Sequence, residues 1–314
     1  MYLRAILYKL TMTILQLEYF LAVVNYGSYS TAAKNCFVTQ PSLSTQISNL
    51  EDELGVPLLD RSSKPIVPTD VGLLVLEKAR MSIASFYSVK ESVNDLKGEI
   101  SGKVRLGVIP TISPFLMPKF VPEFAKKYPK VQLDVRDMFT SDIIDALSRD
   151  IIDVAILSGG YQMQIKETKL FNDKLYFYVS PKSELFNRNE ILIDEVDVSK
   201  LLILSEGNCL RNQALKLMCL AQQKVKPSYN FANCSLETLM HVVDATSSFT
   251  IIPGMAIDFI PKEKWKQIKP FSKIYAHRKV SMSVRNTYVR ESLVKAIKES
   301  LIVSSKKGIA EYLI

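Results

Sequence analysis

At 314 residues and 47% hydrophobic content, the chain is too long for one compact unit and carries enough apolar material for two or three buried cores. Its formal charge of +8 does not by itself argue for nucleic acid: residues 1–100 hold 9 Lys and Arg against 10 Asp and Glu, net −1, while the remainder holds 31 against 22, net +9. No apolar run reaches the roughly 18 residues of a membrane span, and the four cysteines at 36, 209, 219 and 234 lack the spacing of a zinc site. No membrane association, metal or cofactor is therefore expected.

Residues 1–11 are too short for a signal peptide and lack a small-residue cleavage site, so they read as an extension ahead of a domain starting near Met12. A cytoplasmic protein with reduced thiols is the expectation. Residues 15–26 form a first helix with Leu17, Phe20, Leu21 and Val24 inward, ended by Gly27. Residues 28–54 describe two short helices crossing at a tight turn. Ala32 and Ala33 allow close approach, Val38 fills the turn, and Leu43, Ile47, Leu50 and Leu54 recur at helical spacing. The other face of the second helix carries Ser42, Ser44, Thr45, Gln46, Ser48 and Asn49, where a merely solvated face would carry Lys and Glu. Short hydrogen-bonding side chains of this kind suit base edges and phosphates in a major groove. Thr39 or Gln40 can cap this helix with Pro41 in its first turn, leaving backbone N–H groups for a phosphate. Ser30 and Thr31, on the preceding helix, join the candidate DNA contacts.

The Ala32-Ala33, Gln40-Pro41-Ser42-Leu43-Ser44, Gln46-Ile47, Leu50-Glu51 and Glu53-Leu54-Gly55 order resembles the N-terminal signature of LysR-type transcriptional regulators, over residues 15–72. The resemblance implies a winged helix-turn-helix over 12–70, with its wing tip at Arg61-Ser62-Ser63-Lys64-Pro65 and with Arg61 and Lys64 as phosphate contacts. Thr69 can cap a long helix through about Lys97, closed by Gly98. Its apolar residues include Val71, Leu74, Leu76, Ala79, Ile83, Phe86, Val89, Val93 and Leu96. Such a helix spans roughly 40 Å at ~1.5 Å per residue. Residues 71–98 thus read as a linker that pairs with a second copy, which suits a reader of two half-sites on one duplex.

Residues 98–102 read as a hinge, after which strands and helices alternate. Strands are expected at 104–109, 131–136, 154–157, 175–179, 201–204, 250–253 and 279–284, and helices near 119–127 and at 142–148, 210–220, 236–244 and 289–302. This is an α/β multidomain arrangement. In the LysR family it implies a two-lobed, periplasmic-binding-protein-like regulatory domain over 103–304. Lobe I takes about 103–172 and 277–304, and lobe II about 173–276.

The stretch from Glu206 to Cys219 places one thiol at a helix start and another at its end, with Leu210, Ala214 and Leu217 repeating at helical spacing. Ten helical residues separate the two Cα atoms by ~15 Å, whereas a disulfide tolerates about 7 Å at most. Pairing therefore requires the helix to unwind. A helix N-terminus and the nearby Arg211 both favour the thiolate, the form that attacks peroxide, and a second thiol can trap the resulting sulfenic acid. The plain alternative is two ordinary packing cysteines.

Gly207-x-Cys209-Leu210-Arg211-x-Gln213-Ala214, with Ser235-Leu236-Glu237-Thr238-Leu239 and Ile251-Ile252-Pro253 downstream, resembles the hydrogen-peroxide-responsive OxyR branch of the LysR family. The resemblance implies that Cys209 is the peroxidatic cysteine and Cys219 the resolving one. It also implies a peroxide pocket of Thr111, Thr140, Gly207 and Asn208, with Arg285 beside the reactive thiol. Two departures stand out: the Cys209–Cys219 interval is one residue longer than is usual in that branch, turning Cys219 by ~100°, and Asn208 occupies a position where histidine is common. Cys36 and Cys234 read as small packing residues, and His241 and His277 as ordinary surface or core residues.

The expected protein is a transcriptional activator of oxidative-stress genes, not an enzyme. It binds double-stranded promoter DNA as a dimer of dimers, with RNA polymerase as a further partner. Its DNA contacts change when hydrogen peroxide oxidises Cys209 to a redox-active disulfide with Cys219. The alternative within the family is a regulator answering to a small anionic ligand held between the lobes by Thr111, Ser113 and Arg285. A thiol peroxidase would share the Cys209 chemistry but has no use for a DNA reader.

Overall fold

A computed structural model describes residues 12–96, 100–159, 165–220, 234–273, 275–288 and 290–306. The expected extension at 1–11, the linker end at Lys97 and Gly98, and the expected helix start at Val289 lie outside the described residues, as do the side chains of Val93 and Leu96. The chain divides into two units, one spanning Met1–Glu99 and the other formed by nearly all of the chain from Ile100 onward.

In the N-terminal unit, local hydrogen bonds fix each helix boundary. The Thr13 hydroxyl accepts from the Gln16 N–H while the Gln16 side chain accepts from the Thr13 N–H, a reciprocal cap that starts α1 (Ile14–Tyr26). Gly27, at φ 63°, ends it. Ser28 caps α2 (Tyr29–Asn35), Thr39 caps α3 (Gln40–Leu54), and Gly55 closes α3 in the left-handed region. Phe20, Val23, Ala32, Leu43, Ile47 and Leu50 are wholly buried between the three helices. The wing is a two-stranded antiparallel ribbon of β1 (Leu59–Asp60) and β2 (Val67–Pro68).

Thr69 accepts from the Gly72 N–H at 2.9 Å and starts α4 (Asp70–Leu96), a helix of 27 residues. Its apolar residues divide between two faces. Val75, Leu76, Ala79 and Ile83 pack on the helix-turn-helix core, and the Tyr87 hydroxyl donates to Glu18 Oε1 at 2.5 Å. Leu73, Leu74, Phe86 and Val89 are exposed.

In the C-terminal unit, β3 (Gly102–Val108) runs parallel to β4 (Val131–Asp137) on one side and to β5 (Val154–Ser158) on the other. The crossovers are α5 (Ser113–Lys127) and α6 (Thr140–Ser148). The long strand β6 (Ile165–Val179) connects both halves of the unit. Residues 165–174 pair antiparallel with β9 (His277–Arg285), itself antiparallel to β5, whereas residues 175–179 pair with β7 (Phe249–Pro253) and, in part, with β8 (Ile268–Lys269). Where the chain passes from one half to the other, the Leu175 N–H donates to the Ala276 carbonyl, and Asp173 stands opposite Arg278 in register.

The second half is completed by α7 (Cys209–Leu220) and α8 (Leu236–Ala245) over a core that includes Phe177, Tyr178, Met218, Val243 and Phe249. The chain then returns to the first half and closes with α9 (Glu291–Lys306). Two expectations change. The strand expected at 175–179 begins ten residues earlier, because Lys166, Glu167, Lys169, Asp173 and Lys174 break the apolar pattern that would have revealed it. Residues 201–204 are buried as expected but form isolated bridges and no continuous strand, Leu201 pairing parallel with Phe249. Among the described residues no helix is long and apolar enough to cross a membrane.

Candidate functional site

Two sets of residues carry the chemistry, one in each unit. On the helix-turn-helix, Thr39, Gln40, Pro41, Ser42 and Thr45 of α3 and its cap are exposed, as are Ser30 and Thr31 of α2, while Ser44 and Gln46 are half-buried. The Thr45 hydroxyl donates to the Pro41 carbonyl at 2.9 Å, and Thr39 accepts from the Ser42 N–H. Phe37 in the turn is 95% exposed with φ 56°, an aromatic beside the expected DNA face that the sequence reading passed over.

In the wing, Arg61 donates to Glu51 Oε2 at 2.6 Å, and the Oε1 of the same carboxylate accepts from the Leu58 N–H at 2.8 Å. The Arg61 guanidinium also lies over the Tyr29 ring, 5.9 Å from its centre. Arg61 is thus fixed to α3, and Lys64 is exposed. Hydroxyl groups of Ser62 and Ser63 hold the Asp60 carboxyl down to about 2.

The second set is built around the start of α7. Gly207 has φ +90°, a backbone region open to glycine and costly to residues with a side chain, and this turn sets Cys209 at the first position of the helix. Cys209 is buried, with Thr111 Oγ1 at 3.7 Å from its sulfur. A pocket of about 430 Å³ opens beside it, lined by Thr140, Ser158, Gly207, Gln213 and Lys216 among others. The Gln213 amide donates to Ser158 Oγ at 2.9 Å. Thr140 Oγ1 and Gln213 Oε1 are both buried on this wall and have no hydrogen-bond partner among the described residues. Buried polar atoms are normally paired, so these two oxygens stand uncompensated just behind the pocket surface, where a small turn of either side chain would bring them to a hydrogen-bonding molecule.

Two expected pocket residues are elsewhere. Arg285 does not lie beside the thiol: its guanidinium donates to the carbonyls of Leu147 and Ile152 and pairs with Asp150 at 2.5 Å. The arginine that reaches this site is Arg278, which donates to Thr111 Oγ1 and to the Thr111 carbonyl, each at 2.9 Å. The two arginines lie at opposite ends of β9, seven residues and roughly 23 Å apart, and an odd separation places them on opposite faces. Asn208 is buried but turns its amide back to Ser205 and does not line the pocket. Arg211 likewise donates to the Leu204 carbonyl at 3.1 Å.

Arg278 is completely buried, and Asp173 Oδ2 accepts from its Nε at 3.0 Å. Burial pushes the Asp173 carboxyl up, opposed by the Arg278 charge and by the Met255 and Gly254 N–H groups. Cys219 is exposed near the far end of α7, and both thiols are free. The helix between them is continuous, so the ~15 Å separation read from the sequence stands. Burial pushes the thiols of Cys36 and Cys234 up, with the Glu18 charge adding to the effect at Cys36, which suits packing residues.

Residues 14–73 match the bacterial regulatory helix-turn-helix protein, lysR family, and residues 97–302 match the LysR substrate binding domain. The chain belongs to the LysR family. Within that family it is 34% identical over 254 residues to a hydrogen peroxide-inducible genes activator of Dickeya chrysanthemi, covering 81% of this chain and 82% of the relative. It is 32% identical over 247 residues to the DNA-binding transcriptional dual regulator OxyR of Escherichia coli K12, covering 78% and 80%. Its fold superposes on a full-length OxyR variant from Pseudomonas aeruginosa with a TM-score of 0.76 at 24% identity, over 93% of this chain and 95% of that one.

In this OxyR-like LysR protein, the sequence reading identified Thr111, Thr140, Gly207 and Cys209, which the fold brings together, but not Arg278, Gln213 or Ser158. Gln213 was visible as part of the motif around Cys209. Arg278 carried no such signal, because its partner Thr111 lies 167 residues away along the chain.

Proposed function

We propose that this LysR regulator senses hydrogen peroxide through Cys209 and alters its hold on promoter DNA in response. The observation that carries the reading is the buried Cys209 beside Thr111, next to a pocket whose Thr140 and Gln213 oxygens lack partners. The names of its relatives, hydrogen peroxide-inducible genes activators, support the same stimulus. The thiolate sulfur attacks one peroxide oxygen, the O–O bond breaks, and hydroxide leaves, taking a proton to become water. Cys209 is then a sulfenic acid. The Cys219 thiol attacks that sulfur and expels water, leaving a disulfide that requires α7 to unwind.

In this reading residues 12–70 bind DNA, with Ser30, Thr31, Thr39, Gln40, Pro41, Ser42, Ser44, Thr45, Gln46, Arg61 and Lys64 as contacts. Residues 71–98 join two copies through the exposed apolar face of α4, and residues 103–304 sense. The working form is a cytoplasmic dimer of dimers that engages RNA polymerase and acts as a regulator, not a catalyst.

The test is to treat the purified protein with equimolar hydrogen peroxide, trap thiols, identify oxidised positions by mass, and footprint upstream DNA with wild type and Cys209→Ser. Oxidation at Cys209 with an altered wild-type footprint is expected. An unmodified Cys209 ends the sensor reading. The anionic-ligand alternative loses Arg285 to Asp150 and draws support, among the described residues of the pocket wall, from Lys216.

A further inference from the structure

Asp173 and Arg278 stand opposite each other in the β6–β9 register, where the chain passes between the two halves of the regulatory unit. Both side chains are buried, the arginine completely. All three guanidinium nitrogens are engaged. Nε donates to Asp173 Oδ2 at 3.0 Å, Nη1 to Thr111 Oγ1 at 2.9 Å, and Nη2 to the Thr111 carbonyl at 2.9 Å, with Met255 Sδ 3.6 Å from Nη2. Asp173 is fixed in turn, because its Oδ1 accepts from the Met255 N–H at 3.1 Å.

This arrangement decides the polarity of the contact at Cys209. A threonine hydroxyl has one proton and two lone pairs. Arg278 can only donate, so the Thr111 oxygen accepts from it, and the Thr111 proton points elsewhere. Its remaining polar neighbour among the described residues is the Cys209 sulfur at 3.7 Å. Four of the five N–H groups of the guanidinium are engaged in this way, and it does not line the pocket.

We infer that Asp173 is a positioning residue for the Cys209 reaction: by orienting Arg278 it holds Thr111 as a hydrogen-bond donor to the sulfur. The inference rests on the peroxide-sensing reading above. The Arg278 charge then acts through Thr111 and not by touching the departing hydroxide. Such a donor bonds to the thiolate, the form that attacks, and polar chains of this kind strengthen one another where water is excluded. Asp173 touches neither sulfur nor pocket, so its effect depends on Arg278 and Thr111 both being present.

The experiment measures the second-order rate of Cys209 oxidation by hydrogen peroxide in the full chain, trapping the sulfenic acid with dimedone and reading it by mass. Asp173→Asn and Thr111→Val are each expected to slow the reaction by about tenfold or more. Their combination is expected to be no slower than Thr111→Val alone, and Asp173→Glu to recover most of the wild-type rate. Wild-type reactivity in a folded Asp173→Asn, or losses that multiply in the double variant, overturns the inference while leaving Cys209 as the sensor. Should Asp173→Asn fail to fold, Thr111→Val, which leaves the ion pair whole, decides alone, a wild-type rate overturning the inference. A wild type inert to peroxide overturns the sensor reading, and this inference with it.

Discussion

Asp60 shows how far a few hydroxyls can move a half-exposed carboxyl. Ser62 donates to Oδ1 from both its hydroxyl, at 2.6 Å, and its N–H, at 2.9 Å, and Ser63 donates to Oδ2 at 2.6 Å. The carboxyl titrates at about 2, below the ordinary aspartate value. Because the folded-state value is depressed, these bonds stabilise the wing fully above about pH 4 and lose that contribution as pH falls through about 2. A carboxyl NMR titration should place the Asp60 midpoint near 2, and Ser62→Ala with Ser63→Ala should return it toward about 4. Local features of this kind are legible in a sequence, since a cap or a turn needs only its neighbours: Thr39, Thr69 and Gly27 all sit where the spacing places them. Arg278 was not legible. Which arginine of β9 reaches Thr111, beside the thiol, depends on strand register and on which face each side chain takes, and neither is written in the residues around it.

At the scale of elements, α4 separates two kinds of apolar residue that its sequence presents alike. Leu76, Ala79 and Ile83 cover the helix-turn-helix core. Leu74 and Val89 are 70% and 67% exposed in the single chain, more apolar surface than water-facing helices usually carry. Leu74→Glu with Val89→Glu should leave the thermal melt of the N-terminal unit within about 0.5 kcal/mol while shifting the protein from dimer to monomer in sedimentation. An unchanged sedimentation coefficient would sink the pairing role of α4. Helices were readable because their period survives polar substitution on one face. The first ten residues of β6 were not, because that half of the strand carries charges in place of an apolar alternation.

For the whole molecule, the LysR identity was visible in the helix-turn-helix residues, whereas the joint between the two halves of the regulatory unit emerges only when β6 and β9 are paired. Removing one member of the buried pair at that joint should show how much it matters. Arg278→Met leaves Asp173 buried without its counter-charge and should cost about 3–5 kcal/mol in urea denaturation of the C-terminal unit, while Arg278→Met with Asp173→Leu should recover much of that loss. Equal losses in the two variants would show that the joint does not depend on charge pairing.

The continuous coil of α7 has a consequence for sensitivity. On the proposed mechanism, the free energy that keeps the coil wound opposes closure of the sulfur–sulfur bridge, so the coil's own helical propensity acts as a set-point for the oxidant level that trips the switch. Lys216→Gly, on the solvent side of the coil, should weaken it by about 1 kcal/mol and make the Cys209–Cys219 couple about 20 mV more negative, measurable by equilibration in glutathione buffers. The alarm threshold would then be adjustable through the winding of the coil, with both sulfurs left as they are.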